Sequence, residues 1–394
     1  MRLRRLPTGS DQRYSGRKPE HQHEGRSMDT TNSQNTTPDC FAEIEKEPRI
    51  FVTGTSRSGT GLFFQMLRKT FDLQMIPETH YFDGIRTTYD DPTAPLDPGQ
   101  LEQVHKYFGN LARVRFGHGE VSSEDETQGA ALREFMTEPD RASLDDYFKA
   151  HCHRMALESG APIWGEKTPR HCFRIKEILD TFPNTRVVHM LRDPRAVMAS
   201  YKNWHKRDRE LIREAETEDA VAQEAARVKA SYNPILNSLI WKSATNSALQ
   251  AVERFGSERV RLIRYESLCT DPLDTFGEFC DWIGFERPEV IPQMKVTNSS
   301  YEKDNESGVN TRSFDRWKSS LSRHEIRICE MVAGNTLAAA GYERTSQGSN
   351  FMMNAISIGR SVPGIARSVY VNRDRMGNPI SYIKARVGPM MKRH

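Results

Sequence analysis

The segment 49–71 restricts the possible folds of this chain more than any other segment. A short run rich in β-branched and aromatic residues (49–53) leads into a loop of glycine, serine and threonine, and apolar residues at helical spacing follow. This order predicts a buried strand, a tight loop and a helix. Because the N–H groups of such a loop and the positive end of the helix attract anions, the segment predicts an α/β fold with an anion site after the first strand.

The composition of this loop narrows the kind of anion. Gly54 and Gly59 have the spacing of a P-loop, but Thr60 and Gly61 occupy the places of the Lys-Ser/Thr pair that binds β/γ-phosphates and Mg²⁺. Arg57 instead places a cation inside the loop. The pattern disfavours an ATP or GTP site and retains a site for a phosphate-type group. The alternative without function is a plain turn from strand to helix.

Strand and helix patterns continue to alternate after the loop. Apolar runs rich in β-formers predict strands at 186–191 and 259–264. Apolar residues at helical spacing predict helices at 170–182, 194–201, 234–255, 272–283 and 322–340. This alternation favours a parallel sheet with helices on both faces. Helical patterns broken by Pro and Asp predict a helical insertion at 81–162. We therefore expect a three-layer, P-loop-like α/β fold.

The sequence Arg-Asp-Pro-Arg at 192–195 is the second indication of a site. Arg192 follows a predicted strand, at the edge where open α/β sheets bind ligands, and an arginine can bind a phosphate with two hydrogen bonds. Asp193 and Pro194 suit the start of a helix that carries Ser200. Two alternatives remain: Asp193 as a helix cap beside an ion-paired arginine, or Asp193 as a Mg²⁺ ligand.

Several blocks of the sequence, taken together, resemble the sulfotransferase family. These blocks lie at 55–60, 164–169, 187–200, 264–272 and 310–317, and the resemblance extends over about 49–344. It is strongest to the bacterial and protein-tyrosine sulfotransferase-like branch. The resemblance implies that the chain moves a sulfuryl group from 3′-phosphoadenosine 5′-phosphosulfate (PAPS) to a hydroxyl group by in-line displacement, leaving 3′-phosphoadenosine 5′-phosphate (PAP).

The resemblance also implies which residues bind the donor. They are Arg57, Ser58, Gly59, Thr60 and Gly61 for the 5′-phosphosulfate, Arg192 and Ser200 for the 3′-phosphate, and Tyr265, Arg312, Arg316 and Trp317 around the nucleotide. Lys167 matches the lysine that contacts the bridging and sulfuryl oxygens. Arg57 and Lys167 are therefore expected to take part in catalysis as well as in binding.

The identity of the general base is less restricted by the sequence. In the protein-tyrosine sulfotransferase-like branch an acidic residue follows the helix after the phosphate loop, which nominates Glu78, while His80 and His171 are competing bases. One position departs from the family. Asp315 stands where the family often has Ser or Gly, and its carboxylate would repel a sulfuryl group. Either Asp315 points away or the match to the family does not hold at this position, and Ser313 could act as a substitute.

Two further functions remain open from the sequence. A P-loop kinase of a small molecule would use Mg-ATP with Asp193 as the metal ligand, and a non-catalytic nucleotide-binding protein would need neither a base nor a metal. Sulfuryl transfer parallels phosphoryl transfer but involves one negative charge fewer, so arginine and lysine can replace Mg²⁺. The leading prediction is therefore PAPS-dependent transfer that requires no metal, to a carbohydrate, lipid, phenol or peptide acceptor.

The distribution of charge divides the chain. The formal net charge of the 394 residues is only +3, which disfavours a nucleic-acid partner. The segment 345–394, however, contains eight basic residues and one acidic residue. Contact of this basic extension with an anionic membrane surface is one interpretation, and a solvated or packing extension is the other.

The remaining expectations concern organisation and location. We expect a disordered tail at 1–47, a sulfotransferase domain at 48–344 whose insertion at 81–162 shapes the acceptor side, and the basic extension at 345–394. No run of about 18 apolar residues predicts a membrane-spanning helix. The six cysteines lack the spacing of a zinc site or a disulfide framework, which favours a cytoplasmic protein.

Overall fold

A five-stranded parallel sheet forms the centre of the molecule. Its strands are β1 (Arg49–Gly54), β2 (Leu73–Ile76), β3 (Ile163–Lys167), β4 (Thr185–Leu191) and β5 (Val260–Arg264), and they lie in the order β2-β3-β1-β4-β5. The computed structural model describes residues 49–113, 122–136, 139–161, 163–204, 225–227, 229–294, 309, 311, 313–345 and 351–371. The tail expected at 1–47 lies outside them, as does Arg312.

The helices are numbered in chain order over the same residues. They are α1 (Thr60–Thr70), α2 (Pro98–Arg113), α3 (Ser123–Glu134), α4 (Leu144–Ser159), α5 (Ile175–Thr181), α6 (Pro194–Lys202), α7 (Pro234–Phe255), α8 (Tyr265–Thr270), α9 (Pro272–Ile283), α10 (Arg316–Ser320), α11 (Arg323–Ala333), α12 (Asn335–Ala339) and α13 (Phe351–Val371).

The residues of β1 alternate between the two faces of the sheet, and each face carries its own core. Phe51 packs edge-on against Trp164 and Phe82 on one face. Val52 belongs to the other core, which contains Phe63 of α1 together with aromatic residues of α9. The side chains of a central parallel strand are buried on both sides. The predicted α/β sheet with helices on both faces is confirmed.

The helices between β2 and β3 pack directly onto this sheet. Tyr81 stacks on Phe148 of α4 with ring centroids 4.0 Å apart, and both belong to the core cluster of Phe51. The helical insertion thus shares a core with the sheet, which fixes the loop after β2 relative to β3. The boundaries 81–162 stay a prediction.

The structure also corrects several predicted elements. The single helix expected at 170–182 is a 3₁₀ turn (Pro169–Phe173) followed by α5, because Arg174 has non-helical backbone angles between them. The helix expected at 322–340 is divided into α11 and α12 by Gly334, whose φ is 58°. Strands β2 and β3 were not predicted. The basic extension contains the helix α13, and no helix of the described residues is long and apolar enough to cross a membrane.

Candidate functional site

The loop between β1 and α1 lies at the carboxyl edge of the sheet, with β3 and β4 on either side of β1. Its backbone turns sharply, since Arg57 has a φ of 75° and Gly59 a φ of 92°. Gly59 lies against the ring of Tyr265, and a Cβ atom there would be 2.4 Å from the ring atom Cδ2. The glycine is therefore required both by its backbone conformation and by this close approach.

Gly59→Ala is expected to destabilise the protein by about 2–5 kcal/mol, because left-handed backbone strain and overpacking against Tyr265 add together. Gly284→Ala is the matched control, since Gly284 has a φ of 82° and open space around the added Cβ. Urea unfolding of both variants is the measurement. Equal losses of stability would show that the contact with Tyr265 is unimportant.

Four residues that were predicted to bind the donor meet beside this loop. The Nε atom of Arg57 donates to Oγ of Ser200 at 2.9 Å, and Arg192 donates to the carbonyl oxygen of Arg57 at 3.0 Å. The guanidinium of Arg192 also lies over the ring of Tyr265, 4.3 Å from its centroid, and it donates to the carbonyl oxygen of Ser313 at 3.3 Å. The hydroxyl groups of Tyr265 and Ser313 are 3.1 Å apart. The structure therefore gathers residues from four distant segments at one edge.

Residues that the sequence reasoning missed hold Arg192 in this place. Nε1 of Trp241 donates to the carbonyl oxygen of Arg192 at 2.9 Å. Glu266 accepts from the N–H of Asp193 and from the hydroxyl of Tyr342, each at 2.9 Å. Glu266 stands in the recognised block at 264–272, but nothing in the sequence pairs Trp241 with a residue 49 positions away.

Two buried polar atoms at this site have no hydrogen-bond partner among the described residues. They are Oγ of Ser58, whose residue is 1% exposed, and Nε of Arg192, whose residue is 7% exposed. Buried polar groups are almost always hydrogen-bonded in native proteins, so a bound group that accepts from both atoms would satisfy them. Both atoms can donate, and both lie beside cationic side chains. They fit an anionic group.

Asp193 has a structural role in this arrangement. Its Oδ1 caps α6 by accepting from the N–H of Arg195 at 2.8 Å, and its two oxygens accept from the guanidinium of Arg195 at 2.9 and 2.7 Å. Arg195 also donates to the buried Glu330 at 2.7 Å. The carboxylate of Asp193 therefore forms a helix cap and an ion pair with Arg195, as in the alternative in which Asp193 is a cap and not a Mg²⁺ ligand.

The segment around Trp317 is less directly connected to the loop. Trp317 is buried and packs on Arg195, 4.4 Å from guanidinium carbon to ring centroid, and the half-buried Arg316 begins α10. The side chain of Asp315 is 74% exposed and pairs with Lys318 at 2.7 Å. Asp315 thus faces solvent, as one of the two sequence interpretations required.

A second group of charged residues lies at the ends of β2 and β3. Glu78 follows β2, Lys167 ends β3, and Nζ of Lys167 is 2.5 Å from Oε1 of Glu78. Lys167 also lies over the ring of Phe64 in α1, 5.6 Å from its centroid. Because the carboxyl ends of neighbouring parallel strands meet at one edge, the pair lies on the same edge as the loop after β1.

His80 is held between two carboxylates. Its Nδ1 is 3.1 Å from Asp83 and its Nε2 is 3.7 Å from Glu78, and its φ of 56° is unusual for a residue other than glycine. Burial lowers the pKa of His80, but the hydrogen bonds and charges of Asp83 and Glu78 outweigh burial and raise the pKa to about 9. At this pKa His80 is mostly protonated at neutral pH.

The pairing of His80 predicts a pH dependence of stability. The folded-state pKa of about 9 lies above the ordinary 6.5, so the stabilisation is fully present below about pH 6.5 and is lost as the pH rises to 9. We expect the free energy of unfolding of the wild type to fall by about 3 kcal/mol more than that of His80→Gln over this window. Urea unfolding at pH 6, 7.5 and 9 measures the difference. Parallel pH profiles would contradict the pairing.

His171 is buried with both ring nitrogens occupied. Its Nδ1 is 3.0 Å from Glu166, and its Nε2 accepts from the N–H of Phe82 at 3.2 Å. Nε2 of His171 is also 3.5 Å from Oδ1 of Asp83, so the imidazole lies between two carboxylates. The buried Glu166 also accepts from the N–H and hydroxyl of Thr79 at 3.2 and 3.0 Å. Sequence reasoning missed this network, although Glu166 lies in the recognised block at 164–169.

The chain matches the family model described as "Sulfotransferase family" over residues 48–289. It is 28% identical to carbohydrate sulfotransferase 5 of Mus musculus over 173 residues, which is 40% of this chain and 42% of that protein. It is 23% identical to nodulation protein NoeE of Sinorhizobium fredii (strain NBRC 101917 / NGR234) over 309 residues, 75% of this chain and 66% of that protein. The chain thus aligns with less than two thirds of either relative.

Solved structures give a more distant comparison. The sulfotransferase domain from the curacin biosynthetic pathway aligns with a TM-score of 0.44 and 16% identity over 75% of this chain and 98% of that domain. Since the family model covers more than half of the 394 residues, the chain belongs to the sulfotransferase family.

Proposed function

We propose that this sulfotransferase takes its sulfuryl group from PAPS and passes it to a hydroxyl group. The observation that carries the proposal is the hydrogen-bonded group of Arg57, Ser200 and Arg192 beside the loop after β1. At this group Oγ of Ser58 and Nε of Arg192 are buried without a hydrogen-bond partner among the described residues. A donor with separate 5′- and 3′-anionic groups matches two arginines from different strand ends. The Lys167–Glu78 pair at the next strand end supplies a cation and a base for the transfer.

The proposed binding follows the geometry of the loop. Ser58, the N–H groups of 59–61 and the cation of Arg57 would hold the 5′-phosphosulfate, in the manner of helix N-termini that bind phosphate. Arg192 and Ser200 would hold the 3′-phosphate, with Tyr265 beneath the guanidinium of Arg192. Thr60 and Gly61 begin α1 and direct its N–H groups toward the anion. Bound in this way, the donor supplies the sulfuryl group.

The other donor contacts remain proposals of the same kind. Arg316 would support the phosphate from the start of α10, and Trp317 would fix that helix through Arg195. Arg312, on which the structure gives no information, is proposed only from the family resemblance. The division into a tail at 1–47, a domain at 48–344 and an extension at 345–394 is likewise proposed from the sequence.

Glu78 is the proposed general base. Its carboxylate would take the proton of the acceptor hydroxyl, while Lys167 would turn from Glu78 to the sulfuryl oxygens and Arg57 would stabilise the leaving phosphate. The imidazolium of His80, 3.7 Å from Glu78, favours the ionised carboxylate that a base requires. His171 would serve only to position the segment 79–83, since its two nitrogens are already hydrogen-bonded.

The acceptor is proposed at the level of its reacting group. A carbohydrate, lipid, phenol or peptide hydroxyl would fit the same chemistry, and the name of the mouse relative favours a carbohydrate among them. We also propose that the reaction needs no metal and takes place in the cytoplasm, and that the basic extension contacts a membrane. A kinase that uses Mg-ATP would need Asp193 as its metal ligand, but both carboxylate oxygens of Asp193 accept hydrogen bonds from Arg195. No observation on the described residues favours this kinase.

Ligand protection tests the proposal without knowledge of the acceptor. PAP at about 100 times its dissociation constant should add about 2.7 kcal/mol to the free energy of unfolding and raise the melting temperature in EDTA. If only Mg-ATP protects, the PAPS proposal is wrong. Transfer of ³⁵S from labelled PAPS into acceptor libraries of the four classes then identifies the acceptor, and Glu78→Gln serves as the inactive control.

A further inference from the structure

The helix α13 presents its polar positions to the protein. Ser361 and Ser368 are 6% and 7% exposed. Each forms a hydrogen bond with the neighbouring segment 231–233. Asn233 donates to the carbonyl oxygen of Ser361 at 2.9 Å, and Ser368 donates to the carbonyl oxygen of Ser231 at 2.8 Å. Gly364 lies between them, where a Cβ atom would be 2.9 Å from Nδ2 of Asn233. Small and polar residues thus form the inner side of the helix.

The opposite side of α13 is apolar and faces solvent. Ile356, Ile358 and Val362 are 48%, 42% and 50% exposed, and Ala355 and Ala366 lie exposed beside them. At about 100° per residue, Ala355, Ile356, Val362 and Ala366 lie about 100–140° around the helix from Ser361, and Ile358 lies about 60° from it, at the margin of the same surface. We call these five positions the outer face. The segment 351–371 contains no acidic residue and only two arginines.

This arrangement reverses the usual pattern of a surface helix, whose apolar stripe faces the core. A contiguous exposed apolar patch normally marks an interaction surface. The sequence that follows α13 supplies a second property: 372–394 holds six basic residues and one acidic residue. The apolar outer face is therefore joined directly to a strongly cationic segment.

We propose that the outer face of α13 docks on an anionic lipid surface. Interfacial helices combine an apolar face, which enters the headgroup region, with basic residues that attract acidic lipids, each worth about 1 kcal/mol near the surface. In this arrangement the helix would lie in the plane of the membrane surface. The proposal does not depend on the donor or on the acceptor of the sulfotransferase.

A second copy of the chain is the less suitable occupant. A stable interface buries about 800 Å² per partner, and the outer face is a single helix with three large apolar side chains. Two copies joined there would also bring two cationic segments together, at a repulsive cost. Anionic lipid provides the complementary charge.

Sedimentation with vesicles tests this proposal on the full-length protein. Binding is expected to vesicles of phosphatidylcholine with 30% phosphatidylserine and not to pure phosphatidylcholine, and it should weaken in high salt. The triple variant Ile356→Glu, Ile358→Glu, Val362→Glu should bind at least tenfold more weakly. Val290→Glu is the matched control, because Val290 is 66% exposed outside α13, and its binding should equal that of the wild type.

The remaining controls are measured in the absence of lipid. Cooperative urea unfolding of the triple variant checks that it is folded, and if it is not, the double variant Ile356→Ser with Ile358→Ser replaces it. Absence of binding to acidic vesicles, or equal binding by the variants, would overturn the proposal. A wild-type dimer that the triple variant dissociates in sedimentation velocity, without lipid binding, would assign the outer face to a second copy instead.

Discussion

Glu78→Gln is expected to lower kcat for sulfuryl transfer by about 10²–10⁴-fold, the usual contribution of a general base. Glutamine keeps the size of the side chain and an oxygen for Lys167, which lies 2.5 Å from the carboxylate in the free protein. It cannot accept the hydroxyl proton. The measurement is ³⁵S transfer at saturating PAPS and acceptor, together with the rise in melting temperature caused by PAP. That rise should be unchanged, since Glu78 is not among the residues around the loop after β1.

His80→Gln is the variant that separates the two remaining candidates for the base. If Glu78 is the base, His80→Gln removes only a neighbouring cation, and the loss of kcat should be well below that of Glu78→Gln. The pKa of His80 near 9 leads to the same expectation, because a base must be unprotonated at the pH of the assay. A large loss in His80→Gln with full activity in Glu78→Gln would exclude Glu78.

Local patterns explain why the sequence predicts the structure of the loop after β1 and of the start of α6. The run 49–53, the glycines of the loop and the Asp193–Pro194 start of α6 are determined by neighbours in sequence, and they have the predicted structure. In the sheet β1 pairs with β4, which places the ends of these two strands side by side. The sequence thus predicts Arg57 and Arg192 each at the end of a strand, and the pairing of the strands brings them together.

The position of the Glu78–Lys167 pair depends on contacts that no local pattern in the sequence specifies. β2 has only four residues, too few for a periodic pattern, and it pairs with β3 about ninety positions later. Glu166 and Thr79 are 87 positions apart in sequence, and their hydrogen bonds to each other fix the loop that carries Glu78 and His80. The positive φ of His80 is uncommon for a residue other than glycine, and no local pattern in the sequence indicates it.

The outer face of α13 was unpredictable for a different reason. The residues 351–371 are rich in apolar side chains, and the usual inference places such residues against the core. The helix α13 packs against α7 and α11, and its buried residues there include the small Ser361 and Ser368. The tertiary contacts thus invert the expected orientation of the helix.

Arg192→Met is expected to reduce the affinity for PAP by about 10²–10³-fold, the loss typical of a buried charge-assisted contact, while the affinity for adenosine 5′-phosphate falls much less. The guanidinium of Arg192 is fixed by the carbonyl oxygens of Arg57 and Ser313 and by the ring of Tyr265, which leaves its buried Nε for an anion. Only PAP carries the 3′-phosphate that this atom would bind.

Arg192→Lys makes the test sharper, because it keeps the charge and removes the planar group. An ammonium cannot reach both carbonyl oxygens and an anion in the same geometry, so most of the preference for PAP over adenosine 5′-phosphate should be lost. Calorimetric titration of both nucleotides gives the ratio of the two affinities. If Arg192 only shapes the loop through its bond to Arg57, both affinities will fall together and the ratio will stay that of the wild type. A reduced ratio in both variants would identify Arg192 as the residue that recognises the 3′-phosphate.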